Sequence, residues 1–203
     1  MAIHYASPPE NSRQMALAGL QHLAKFAPEA RAVHLMALQA DNLELSTPHS
    51  VHLVRLEDLA ARRPLGDSAV TGWRYLAHRG SRVLASSEVS ADTDGRAIGL
   101  EQVNVGPYVE STARALADLS ENEEIQAGDY ELRILKIPAL CAVALWLSPP
   151  DGERNLFVPL APTPDYLEAG RIYLEGEMLD AFEGPARLRL QFDDSRDEPY
   201  GED

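Results

Sequence analysis

The chain has 203 residues, 45% of them apolar, which fits one domain or two small ones with a sizeable core. Its net charge is −14, from 32 acids against 18 bases; that balance counts against a nucleic-acid binder, which needs a basic surface to neutralise phosphates. No stretch reaches the roughly 18 apolar residues of a membrane-spanning helix. The N-terminus also lacks the basic-then-apolar pattern of a secretion signal, so the expectation is a soluble cytoplasmic protein with no membrane partner.

The bases are 16 Arg and two Lys, Lys25 and Lys136. With the abundant Ala, that bias points to a GC-rich bacterial origin. It also confines any Schiff-base or phosphate-cradling lysine chemistry to those two residues. Cys141 is the one cysteine, so no internal disulfide can form.

Residues 1–11 contain Pro8-Pro9 and read as a flexible N-terminal arm. Ser12 then suits a helix N-cap. Met15, Leu20, Leu23 and Phe26, joined by Ala16 and Leu17, follow at helical spacing. Residues 29–40 read as helix by propensity and as strand by the short run Val33–Leu38, with helix preferred. Val51–Leu56 alternates with the β period, and Glu57–Arg63 forms a helical turn that Pro64 ends.

The clearest hairpin is Gly72–Arg79 against Arg82–Val89. It is joined by Gly80-Ser81, where Gly at the first central position suits a type II′ turn. Residues 90–107, with Asp92, Asp94, Gly95, Gly99, Gly106 and Pro107, read as loop. Tyr108–Leu119 is a helix with Val109, Ala113, Leu116 and Ala117 on one stripe. Asp129–Ile137 alternates as a strand.

Ala139–Leu147 (ALCAVALWL) has no polar side chain and lies between Pro138 and Ser148-Pro149-Pro150. It reads as a strand buried on both faces, with Cys141 inside it as a small buried hydrophobe. The two strands pair as a hairpin across Pro138-Ala139 or run on as one bent strand. Asn155–Leu160 is a short strand whose end Pro159 pushes to a sheet edge. Leu174–Phe182 is a helix and Ala186–Phe192 (ARLRLQF) a last strand. The acid-rich 193–203 is expected to be a disordered tail.

The sum is α+β: one mainly antiparallel sheet built from β-hairpins, with helices packed on it, in a single domain over 12–192. Helices are expected on one sheet face. The other face then needs a second subunit, a loop layer or a ligand.

The P-loop, the dinucleotide glycine fingerprint, HExxH, paired CxxC, the EF-hand loop and the GxSxG elbow are all absent from the sequence. No cofactor, metal site or catalytic residue is therefore assigned. His49 and His52, three apart, would not share a strand face, and Pro48 places His49 in a loop. Glu121, Glu123, Glu124, Asp193 and Asp194 read as solvated charge.

The candidate ligand site is the hairpin face. With Gly80-Ser81 as the turn, Trp73 falls opposite Glu88 and Tyr75 opposite Ser86. The four would then form one polar–aromatic cluster. The leading functional expectation is a non-enzymatic protein-interaction or self-associating module, with a protein partner or a homodimer anchored by aromatics such as Trp73, Tyr75, Trp146 and Phe157. The alternative is a small-molecule binder or enzyme around Trp73, Tyr75 and Glu88, with Tyr108 and Glu110 nearby. In that reading Glu88 has a raised pKa and acts as acid or base.

Overall fold

A computed structural model describes residues 3–26, 43–46, 48–94 and 96–194. Residues 29–40, expected to be helical, and 195–203 of the expected disordered tail 193–203 lie outside the described residues; Asp193 and Asp194 end the last helix instead of opening the tail. Ten strands form a mixed, mostly antiparallel sheet. They are β1 (Ile3–His4), β2 (Glu44–Leu45), β3 (His49–Leu53), β4 (Val70–Arg79), β5 (Arg82–Ala91), β6 (Ala97–Asn104), β7 (Tyr130–Ile137), β8 (Ala142–Ser148), β9 (Leu156–Pro159) and β10 (Tyr173–Leu174). Among the described residues five helices accompany them: α1 (Ser12–Phe26), α2 (Leu56–Ala60), α3 (Pro107–Glu121), α4 (Glu123–Ala127) and α5 (Glu175–Asp194).

The strand order is β10-β9-β8-β7-β3-β4-β5-β6. β1 and β3 both run parallel to β7, while β2 and β3 both pair antiparallel with β4. The three short segments thus share one strand position between β7 and β4. Residues 3–11, read from the sequence as an arm, begin with this ladder: Ile3 pairs with Tyr130. They end on the turn Ser12 N–H to Pro9 O that starts α1. The Ser12 hydroxyl does not cap the helix; it bonds Pro9 O at 2.7 Å and Tyr75 OH at 2.6 Å.

Both sheet faces are covered by helices of the chain, not one as expected. On the first face, α2 and α5 pack Leu59, Met178 and Phe182 on Leu135, Ile137, Trp146 and Phe157. Farther along that face, α1 packs Ala16 and Leu20 on Trp73, Tyr75, Ala85 and Val89. On the opposite face, α3 and α4 pack Ala115, Leu119 and Ile125 on Val51, Leu132, Ile134, Leu145 and Leu147. The buried stripe of α3 is Val109, Thr112, Ala115 and Leu119. Thr112 can be buried there because its hydroxyl donates to Tyr108 O at 2.7 Å.

β7 and β8 form the hairpin, with Pro138–Leu140 as a 3-10 turn. Alternate residues of β8 feed the two cores, as a doubly buried strand requires. Trp146 is fully buried, stacked on Phe157 at 5.6 Å and edge-on to His52 at 4.8 Å, with Arg133 above its ring at 4.7 Å. Its indole N–H donates to Asn155 Oδ1 at 2.8 Å.

Four expectations are corrected. Cys141 is exposed and left-handed (φ 52°), because it closes the turn instead of entering the strand. Residues 97–104 within the expected loop form β6. Ala186–Phe192 continues α5 despite Pro185; Ala186 and Leu190, one helical turn apart, both pack on the core below. His49 opens β3 and is not in a loop.

Candidate functional site

The hairpin has the expected turn. Gly80, and not Ser81, has positive φ (57°), which fits a type II′ geometry. Its register differs from expectation by one residue. Arg79 pairs with Arg82 and His78 with Val83, but Ala77 then pairs with Ala85, so Leu84 is a bulge. Beyond it Trp73 lies opposite Val89, Tyr75 opposite Ser87, and Arg74 opposite Glu88. A slip of one residue exchanges faces. Trp73 and Tyr75 are therefore buried under α1, while Ser86 and Glu88 face α3. The four residues are not one cluster, and the aromatic pocket read from the sequence does not form.

Arg74 and Lys136 take the place of the aromatics beside Glu88. Glu88 Oε1 accepts from Arg74 Nε at 2.7 Å and Gln102 Nε2 at 3.2 Å, and pairs with Arg74 Nη2 at 2.6 Å. Oε2 accepts from Lys136 Nζ at 2.7 Å. Burial alone would raise the Glu88 pKa, but the charges and hydrogen bonds of Arg74 and Lys136 outweigh it and hold the carboxyl below its usual range. The raised-pKa acid or base expected from the sequence is thus replaced by a saturated carboxylate.

Arg74 and Glu88 belong to a row across the sheet. His49 pairs with Arg74, Arg74 with Glu88, and Glu88 with Gln102. Lys136 enters from β7, three strand positions from β5. In a flat sheet that separation is about 14 Å, more than the two side chains can close. The 2.7 Å contact therefore needs a sheet curled toward α3, with this face concave. Glu101, on β6, reaches 3.9 Å from Lys136 Nζ over the same concavity.

His49 is buried beside this row. Tyr5 lies against its ring at 5.6 Å, and its Nδ1 has no hydrogen-bond partner among the described residues. Burial first, and the Arg74 charge second, lower its pKa to about 3, so it is neutral.

His52 points to the other face, as spacing by three on a strand requires. Its Nδ1 lies 2.9 Å from Ser68 O and its Nε2 3.3 Å from Ser50 Oγ. That arrangement resembles a nucleophile, its base and an orienting acceptor. Two facts count against catalysis: Ser50 is buried, and burial lowers His52 to about 4, too weak a base near neutrality.

An apolar cleft of about 170 Å³ lies between β1 and the α3–α4 turn, lined by Ile3, Tyr5, Leu116, Leu119 and Ile125, with Ser120 and Gln126. It is smaller than the ~300 Å³ at which small-molecule sites begin. Among the described residues no group of three or more His, Cys, Asp or Glu could hold a metal ion. No described helix is long and apolar enough to cross a membrane.

The two ends of the sheet differ. At one end β10 has two residues, and Gly170 N–H caps Pro159 O beside it. At the other end, β6 has eight residues without Lys or Pro, and among the described residues it pairs with β5 alone. Two register shifts against β5 bulge out Ile98 and Glu101. Ile98 is 62% exposed, Leu100 44% and Val105, just past the strand, 36%. Leu100 rests on α1 where Gly19 leaves room: a Cβ there would meet its side chain at 2.5 Å.

No family model matches the chain, and no curated protein or solved structure matches it.

Proposed function

We propose that the chain is a non-enzymatic interaction module that docks another protein at β6. The observation that carries this is the set of exposed apolar side chains, Ile98, Leu100 and Val105, on and just past β6, which among the described residues pairs with β5 alone. Exposed apolar groups set together on an edge are a common interaction surface. The bulges at Ile98 and Glu101 interrupt the regular pairing of β6 with β5. Recognition therefore runs through side chains more than through added backbone pairing.

The occupant is a protein segment with apolar and basic residues. Glu101 stands among the apolar groups, and the net charge of −14 attracts a basic partner. The same charge works against a second copy of this chain, and edge bulges discourage edge-to-edge pairing. The catalytic alternative loses support because Glu88 is saturated and the aromatics it was to act with lie on the other face.

The test is fluorescence anisotropy with a labelled octapeptide of alternating Lys and Leu. Ile98→Asp removes an apolar anchor and adds a negative charge. The expected result is binding that weakens about tenfold or more, as for loss of an interface anchor. Binding that strengthens in the variant would mean charge alone is at work and would refute the docking surface.

A further inference from the structure

We propose that the concave face binds a small monocarboxylate at Arg74, with His49 and Lys136 as flanking donors. The first argument is charge. Two cations, Arg74 and Lys136, surround one buried carboxylate, Glu88. Glu101 is 3.9 Å from Lys136 and 44% exposed, so it offsets the remaining positive charge only weakly. One unit of positive charge in a poorly solvated place attracts one unit of negative charge, which suits a carboxylate better than a doubly charged phosphate.

The second argument is unused donors. A guanidinium has five N–H groups in a planar fork. The Arg74 contacts to Glu88 use Nε and Nη2. Nη1 takes no part in the contacts to Glu88. Lys136 Nζ has one hydrogen bond for three N–H groups. The edge of Arg74 that carries Nη1 is the one that can hold a carboxylate in the paired geometry typical of Arg.

The third argument is His49. It is buried directly opposite Arg74 on the neighbouring strand, with Nδ1 unpartnered among the described residues. A buried polar atom without a partner costs free energy. The Nδ1–H form of a neutral imidazole donates to a carboxylate seated between it and Arg74. Lys136, 12% exposed, is the more accessible of the two cations around Glu88. Glu101 borders both this site and the β6 surface, but acetate at Arg74 and the peptide at Ile98 are read separately, so either can fail alone.

The probe is sodium acetate, followed by NMR at the Arg74 Nε–H signal and the His49 ring, with sodium phosphate and sodium chloride at matched ionic strength. The expected result is a saturable shift of both signals with acetate, and no saturation with chloride or phosphate. Equal responses to all three salts, or saturation by phosphate and not by acetate, would overturn the proposal. Glu101→Gln changes a half-exposed side chain and removes a competitor for Lys136. It should tighten acetate binding about two- to fivefold, the range of an exposed ion pair; unchanged or weaker binding would overturn the role given to Lys136.

Discussion

Glu88 receives its hydrogen bonds from three side chains, two of them charged: Arg74, which is buried, and Lys136 and Gln102, which are partly buried. Removing its charge takes the buried counter-ion from Arg74 and leaves Lys136 with Glu101 at 3.9 Å. Glu88→Gln is expected to cost about 3–5 kcal/mol in urea unfolding, the usual penalty for breaking a buried pair from one side. The pH dependence follows from two histidines. His49 and His52 are held neutral with pKa values near 3 and 4, against 6.5 when unfolded. Between those values the unfolded chain binds more protons, so stability falls as the pH drops below 6.5. Each histidine contributes a slope of up to about 1.4 kcal/mol per pH unit. Unfolding at pH 7 and pH 5 measures this, and His49→Phe should flatten the slope by about half. Glu88, whose folded pKa is lowered, adds to the loss only as the pH falls through the carboxylate range. Little of this was legible in the sequence. Lys136 stood out as one of two lysines, but nothing local says that it meets Glu88, 48 residues earlier in the chain.

At the scale of elements, patterning located most strands and missed what interrupts a pattern. Gly80-Ser81 marked a hairpin and the apolar 139–147 run a buried strand, because turn chemistry and a long apolar run are local signals. Leu84 defeated the face assignment. One bulged residue leaves both strands in place and exchanges every partner beyond it, and no residue type announces it. β6 was hidden by Gly99 and by bulges that break its alternation. Ala186–Phe192 alternates over seven residues, yet the packing of Ala186 and Leu190 on one core decides for helix. Close approach of β4 and β5 depends on Gly72: a Cβ there would stand 2.5 Å from Val89 O, an atom of the backbone. Gly72→Ala should therefore destabilise by about 1–3 kcal/mol, the usual cost of overpacking. Gly99→Ala, with nothing within 4 Å, should be close to neutral. Equal losses in the two variants would show that strand glycine entropy, and not the close approach, matters.

For the molecule as a whole, helices on both faces remove the argument that a second subunit must cover an exposed sheet. Trp146, whose cover was the open question in the sequence, lies under α5, Arg133 and His52. Ile98, Leu100 and Val105 are exposed at the β6 end, as Leu174 is on β10 and Leu188 and Phe192 are on α5; the net charge of −14 favours a basic partner over a copy of the chain. Light scattering should find a monomer at micromolar concentration. The most direct test of docking at β6 is amide hydrogen exchange, on the chain alone and with the Lys–Leu octapeptide. The account predicts faster exchange in residues 97–104 than in β4 and β7 for the chain alone, with selective slowing there when the peptide binds and none in 156–159 and 173–174. Full protection of β6 in the chain alone, or slowing centred on any other element, would contradict it.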